Sequence, residues 1–155
     1  MVYVTPLQRT AQTARVFFPG AKLIPVDGLK EMNFGRFEGQ TFVQVEQDPE
    51  YLAWVQENEH AAHPDGERRS DFCNRVCKTL ADLIDKALAE GQERLVIVAH
   101  GGTQMAALER FGVPRAAFTT GAAPTRAAYV LDARDWPEQH ILHLVETVQY
   151  TKENG

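Results

Sequence analysis

The stretch from Leu95 to Gly112 reads LVIVAHGGTQMAALERFG and predicts a buried strand followed at once by a helix. Its first five residues are apolar with no polar alternation, which is typical of a parallel strand that helices cover on both faces. Apolar side chains then recur near helical spacing as far as Phe111, and Gly112 is a natural helix end. His100 therefore lies at the carboxyl end of a predicted strand, where open α/β sheets bind their ligands.

Gly101 and Gly102 lead from this histidine into the predicted helix. The free N–H groups and the dipole of a helix N-terminus attract anions, and glycine lets the backbone come close to a ligand. A tight turn beside a hydrogen-bonded His100 is the structural alternative, and this stretch alone leaves both interpretations open.

The length and composition predict one globular domain, residues 1–155. The net charge is −5, and 44% of the residues are hydrophobic. The sequence lacks a basic stripe of the kind that would indicate nucleic-acid binding. Its apolar runs are too short for a membrane span. The first residues do not resemble a signal peptide. Cys73 and Cys77 lie on the apolar face of a predicted helix, which favours reduced core thiols in a cytoplasmic protein.

Strands and helices alternate along the rest of the chain, which predicts a single α/β layer domain. The predicted strands are 2–5, 21–26, 95–99, 126–131 and 140–150, with a turn at 132–139 and loops at 27–39 and 60–66. Three helices are predicted besides the one after His100. The first starts at Thr5-Pro6, with Thr5 as cap and Gln8 completing a capping box, the second covers 41–57 with a break at Asp48-Pro49, and the third runs to Gly91.

Three further stretches carry a family resemblance: VTPLQRTAQTA at Val4–Ala14, LKEMNFGRFEG at Leu29–Gly39 and HPDGERRSDFCNRV at His63–Val76. Together with VIVAHGGT they resemble, in order and spacing, the histidine phosphatase superfamily, in particular its α-ribazole phosphatase-like branch. The resemblance covers nearly the whole chain. It implies a phosphoglycerate mutase-like, three-layer α/β/α fold with a mostly parallel sheet, an antiparallel edge strand and a phosphate pocket at the strand ends.

The resemblance also implies roles for individual residues. Arg9 matches the arginine that binds the transferred phosphoryl group, for which the planar guanidinium fork is suited. Glu31 matches the acid that protonates the leaving alkoxide and must hold a proton at neutral pH. His100 matches a pocket histidine that stabilises charge on the phosphoryl oxygens. Gly101 and Gly102 would then let the backbone approach the phosphate.

Several other residues receive weaker or structural expectations. Thr5 and Arg36 are candidate substrate contacts. Glu38 is expected to bond backbone amides of its own loop, and Glu67 and Arg75, which match the family's helix start, to form a cap or a buried ion pair.

The remaining histidines do not predict a metal site, and no cofactor is expected. His60 and His63 fall in a predicted loop, where they are expected to be solvated. His140 and His143 are three apart on a predicted strand, so their side chains would point to opposite faces.

The chain contains no Arg-His-Gly motif, which carries the nucleophilic histidine of the superfamily. The resemblance therefore implies an incomplete N-terminus, lacking one strand, a phosphate loop and a helix, and a chain impaired in catalysis. Removing a central strand exposes sheet edges. We expect that the remaining strands close up, that a second copy covers the gap in a homodimer, or that the sequence is a truncated form of a longer gene.

The function expected by resemblance is metal-independent hydrolysis of a phosphomonoester of a small phosphorylated metabolite, with inorganic phosphate as product. One alternative is a non-catalytic remnant that binds phosphate esters or another protein. A second is a phosphoglycerate mutase-type phosphotransferase, which is less favoured because the chain is short and shows no obvious lid beyond 41–66. The sequence does not identify the substrate.

Overall fold

The structure, a computed structural model, describes residues 1–57, 66–115 and 127–150. Its strands are β1 (Val2–Val4), β2 (Leu23–Pro25), β3 (Ile97–Val98), β4 (Gly112–Val113), β5 (Ala127–Asp132) and β6 (Leu142–Gln149). Its α-helices are α1 (Gln8–Phe17), α2 (Phe42–Val45), α3 (Pro49–Gln56), α4 (Arg69–Ala89), α5 (Gly101–Phe111) and α6 (Trp136–Gln139). Short 3₁₀ turns cover Asp27–Leu29 and Gly35–Phe37.

The first sheet is parallel, has the order β2-β1-β3, and is covered by helices on both faces. On one face, Val2 and Val4 pack against Ala14 of α1, with Val96 and Val98 beside them. On the other face, Ile97 packs against a cluster that α4 and α5 supply. This arrangement confirms the three-layer α/β/α prediction and explains why the predicted strand 95–99 carries apolar side chains without alternation.

The second sheet has the order β4-β6-β5 and contains the predicted antiparallel edge strand. β4 runs parallel to β6, whereas β5 is antiparallel to it. The register shifts by one residue between Val130 and Leu131, because β6 inserts Val145 there. Within the described residues the strands are thus divided between two three-stranded sheets.

A third apolar cluster packs α6 and β6 against α4. Trp136 is fully buried against Ile84 and Leu142. Its indole Nε1 donates a hydrogen bond of 2.8 Å to Asp85 Oδ1, so its one polar atom is satisfied.

The predicted start of the first helix was wrong. α1 begins at Gln8, with Leu7 at the cap position and no side-chain cap bond. The Thr5 hydroxyl accepts a hydrogen bond of 3.3 Å from Leu7 N and also contacts Thr10 and His100, so it does not cap the first turn of α1. The break predicted at Asp48-Pro49 is confirmed, because the Asp48 side chain caps α3 by accepting hydrogen bonds from two backbone amides.

The C-terminal prediction also needs a correction. The predicted turn contains α6, and β6 starts at Leu142, so His140 lies before the strand. His140 ends α6 with φ of +51° and stacks on Trp136, while His143 pairs with Asp135. The prediction that His140 and His143 share one strand was therefore wrong. His60 and His63 fall within residues 58–65, which lie outside the described residues.

Both cysteines are unpaired and lie on α4, as expected. Burial raises the pKa of the Cys73 thiol and raises that of Cys77 to about 11, so both stay protonated at neutral pH. Across the part of the chain that the structure describes, no helix is both long and apolar enough to span a bilayer.

Candidate active site

His100 occupies the junction between β3 and α5 and is 6% exposed. Its Nε2 lies 2.8 Å from Thr5 Oγ1, and its Nδ1 accepts a hydrogen bond of 3.3 Å from Arg9 Nε. These partners are 95 and 91 positions away in the chain. They meet because β1 and β3 run parallel, with Val4 opposite Val98, so the carboxyl ends of both strands reach the same edge.

The hydrogen bonds define the protonation state of His100. Arg9 Nε can only donate, so Nδ1 accepts and the ring proton lies on Nε2, which donates to Thr5. Burial, followed by the Arg9 charge, lowers the pKa of His100 to about 4. At neutral pH the ring is therefore uncharged beside an exposed guanidinium.

Thr10 completes this network, and the sequence analysis did not select it. The residue is buried, and its hydroxyl contacts Thr5 Oγ1 at 3.1 Å and donates to the Leu7 carbonyl at 2.9 Å. The available signal was a threonine on the otherwise apolar face of the first helix, between Leu7 and Ala14. Thr10 orients Thr5, and Thr5 in turn orients His100.

Glu31 reaches the N-terminus of α5 from the loop after β2. Its Oε1 accepts a hydrogen bond of 3.0 Å from its neighbour Met32 N, and its Oε2 accepts a longer one of 3.4 Å from Gly102 N. A Cβ at Gly102 would lie 2.4 Å from Glu31 Oε1, so a side chain there would displace the carboxylate from its present position. The acid thus lies against the first turn of the helix that His100 precedes.

The loop that carries Glu31 is fixed by the predicted ion pair between Glu67 and Arg75. Arg75 Nη2 lies 2.8 Å from Glu67 Oε1, and Asn33 N donates to the same oxygen at 2.9 Å. Burial alone would raise the pKa of Glu67, but these hydrogen bonds lower it overall. Glu38 bonds Phe34 N at 2.7 Å, which confirms its expected role within the loop.

The two candidate substrate contacts are placed differently. Thr5 touches His100, as described above. Arg36 is exposed in the 3₁₀ turn Gly35–Phe37, and its Nη2 lies 2.8 Å from both Asp48 Oδ2 and Glu50 Oε2 at the start of α3. Two carboxylates thus hold this guanidinium in the present arrangement.

The site therefore combines a guanidinium, an imidazole, a helix N-terminus and a carboxyl group at one end of a parallel sheet. Arg9, His100 and Glu31 come from three separate stretches of the sequence, together with Gly101 and Gly102. A guanidinium beside a helix N-terminus favours an anion.

The family model described as histidine phosphatase superfamily (branch 1) matches residues 1–140. The chain belongs to the histidine phosphatase superfamily. A curated protein of Hydrogenobacter thermophilus named "Putative phosphoserine phosphatase 2" is 30% identical over 108 residues, which are 66% of this chain and 51% of that protein.

Solved structures of the superfamily share the fold. The α-ribazole phosphatase of Shigella flexneri matches with a TM-score of 0.62 and 27% identity, over 71% of this chain and 55% of that one. A phosphoglycerate mutase of Bacillus anthracis matches with a TM-score of 0.59 and 22% identity, and the match covers 71% of this chain and 58% of that protein's chain. The fold is thus phosphoglycerate mutase-like, and the chain spans about half the length of these proteins.

The state of His100 predicts a pH dependence of stability. Its folded pKa of about 4 lies below the ordinary value of 6.5, so in this range the unfolded chain binds a proton that the folded chain does not. The free energy of unfolding should therefore fall as the pH is lowered from about 6.5 to about 4, by on the order of 1–3 kcal/mol from this residue.

Urea unfolding at several pH values, compared between the wild type and His100→Gln, measures this contribution. The substituted protein should show a flatter dependence in the same interval, since glutamine does not titrate. Parallel curves for the two proteins would contradict the assignment of a buried neutral imidazole.

Proposed function

We propose that this chain binds the phosphoryl group of a small phosphorylated metabolite, or inorganic phosphate, at the N-terminus of α5. The contact between Arg9 Nε and His100 Nδ1 carries the proposal, because it brings a permanent cation to a buried strand-end histidine. The amides of Gly101 and Gly102 lie in the first turn of the same helix. A guanidinium fork and free helix amides are the groups that phosphate oxygens prefer.

Binding of a phosphate anion would change the protonation of the site. His100 is neutral because burial and the Arg9 charge disfavour a second positive charge. A phosphate dianion reverses this balance, so the ring should take up a proton at Nδ1. That nitrogen then no longer accepts from Arg9 Nε, and both ring nitrogens donate. The same anion repels an ionised Glu31 carboxylate at the helix N-terminus and favours its protonated form.

These states suit the cleavage of a phosphomonoester. Hydrolysis transfers the phosphoryl group to water: a water oxygen bonds to phosphorus while the bond between phosphorus and the ester oxygen breaks, and both protons of that water stay with the phosphate product. Arg9 and His100 stabilise charge on the phosphoryl oxygens during this transfer. The Glu31 carboxyl gives its proton to the departing alkoxide, which leaves as an alcohol. The positive charge comes from side chains and amides, so we propose a reaction that is independent of metal.

The chain as given contains no Arg-His-Gly motif, from which the superfamily takes its nucleophile. Both His100 nitrogens are engaged, by Thr5 and Arg9, so this ring is badly placed to substitute as a nucleophile. We therefore propose that hydrolysis by this polypeptide is impaired while phosphate binding persists. A non-catalytic phosphate-ester-binding role is the second candidate, and the missing motif favours it.

Phosphatase chemistry is favoured over mutase chemistry. The Hydrogenobacter protein and the Shigella protein are both named as phosphatases. The segment after Gly39 that would form a lid is short in this chain. The cytoplasmic location proposed from the sequence rests on the two unpaired thiols.

A second copy of the chain as partner also remains a proposal. Its support is the position of β3 at the outer edge of the first sheet, and the apolar side chains of Val16, Val130 and Val145 that are exposed. A separate partner protein at this edge is the alternative.

Replacing Arg9 by alanine should weaken phosphate binding about 10- to 100-fold, because one charge-assisted hydrogen-bond donor is lost. Isothermal titration calorimetry with inorganic phosphate measures the affinity. Arg15→Ala, an exposed change of the same type on the same helix, is the matched control and should leave the affinity unchanged. Equal affinities of the wild type and Arg9→Ala would contradict the proposed site.

Turnover separates the two candidate functions. With p-nitrophenyl phosphate and a panel of sugar phosphates, the wild type should hydrolyse no faster than His100→Ala, although it binds phosphate. Turnover well above that control, undiminished by a chelator, would show a competent metal-independent phosphatase and refute the proposed impairment. Failure to bind any of these anions would refute both candidates.

A further inference from the structure

We propose that Arg75 is the positioning residue for Glu31, holding the loop so that the carboxylate meets the N-terminus of α5. The residue does not touch the anion site itself and acts through the backbone on either side of Glu31. The inference rests on the proposed role of Glu31 as the acid.

Arg75 grips the loop on the N-terminal side of Glu31. Its Nη1 donates to two backbone carbonyls, those of Gly28 at 2.9 Å and Lys30 at 3.1 Å. A single guanidinium nitrogen therefore fixes two peptide groups: the one immediately before Glu31 and the one two residues earlier.

The other face of the guanidinium fork fixes the loop on the C-terminal side. Arg75 Nε and Nη2 bind the two oxygens of Glu67 at 3.1 and 2.8 Å. Glu67 in turn accepts from Asn33 N, and its own backbone amide donates to the Asn33 carbonyl, both at 2.9 Å. The backbone is thus fixed on both sides of Glu31, at Lys30 and at Asn33, through the same arginine.

The surface below the loop adds to this support. Leu29 is fully buried, and its carbonyl accepts a hydrogen bond of 2.9 Å from the Thr103 hydroxyl of α5. A Cβ at Gly28 would lie 2.1 Å from Thr79 Oγ1, so the loop packs directly on α4. Three consecutive carbonyls, those of residues 28 to 30, are therefore held just before Glu31.

The planar fork of Arg75 is needed for this arrangement. A lysine could keep the charge, but its compact ammonium group could not match the bidentate Glu67 contact and both carbonyls together. His100 is held by a separate network of Thr5, Thr10 and Arg9. Within the described residues, no hydrogen bond joins Arg75 to that network. Loss of Arg75 should therefore release Glu31 while leaving His100 in place.

The bond between Gly102 N and Glu31 provides a direct readout. In the protein without phosphate at a fixed pH of 7, Glu31→Gln should change the amide chemical shift of Gly102, and the size of that change is the amplitude compared among the variants. In Arg75→Met we expect less than half of the wild-type amplitude. In Lys78→Met, an exposed change on the same helix, the amplitude should be that of the wild type.

Three results would overturn the proposal. The first is a full Gly102 amplitude in folded Arg75→Met. The second is a full amplitude in Arg75→Lys with loss in Arg75→Met, which would assign the effect to charge rather than position. The third applies if Arg75→Met does not fold: Thr103→Val and Gly28→Ala should then each reduce the amplitude, and full amplitude in both refutes positioning.

Phosphate affinity, measured separately, keeps this test apart from the proposed function. A wild type that shows the Gly102 response to Glu31→Gln but binds no phosphate loses the function and retains the positioning. A wild type that binds phosphate while Arg75→Met keeps the full Gly102 amplitude loses the positioning and retains the function.

Discussion

The imidazole of His100 is held on both nitrogens, by Thr5 in the turn after β1 and by Arg9 in the first turn of α1, and this constraint organises the site. The parallel pairing of β1 with β3 makes it available, because it brings Thr5 and His100 to one edge of the sheet. The ring is buried and accepts a hydrogen bond from a cation, so it remains neutral in the folded chain. A bound anion would compensate the charge that burial now excludes. Affinity for an anion and protonation of His100 are therefore linked.

The N-terminus of α5 would hold two negative groups, the Glu31 carboxylate and the proposed phosphate. Glu31 already accepts the Gly102 amide, and the proposed phosphate would approach the same turn. Two full negative charges at one helix end repel each other, so occupancy of the site and protonation of Glu31 favour each other. A loop tied to α4 and α5 through its backbone, rather than a mobile one, keeps the carboxyl at the distance where this coupling operates.

The sequence predicted those features that depend on local pattern or on motif. The apolar run 95–99 with the helix after it, the cap at Asp48 and the members Arg9, Glu31 and His100 of the site fall in this group. Features decided by tertiary contacts could not be predicted. Thr5 does not cap the first turn of α1, because its hydroxyl bonds Leu7 N, Thr10 and His100 instead. The loop contacts of Arg75 join residues 45 and 47 positions apart, and nothing in the local sequence marks them.

We propose that Arg9, His100 and the start of α5 form one anion site, and NMR of the His100 ring during a phosphate titration near pH 6 is the decisive experiment. The ring nitrogens should change from the neutral form, protonated at Nε2, to the doubly protonated form as phosphate binds, and the Gly101 and Gly102 amide signals should move with the same saturation curve. Ring and amide signals that stay unchanged while phosphate binds elsewhere, or does not bind at all, would contradict the account.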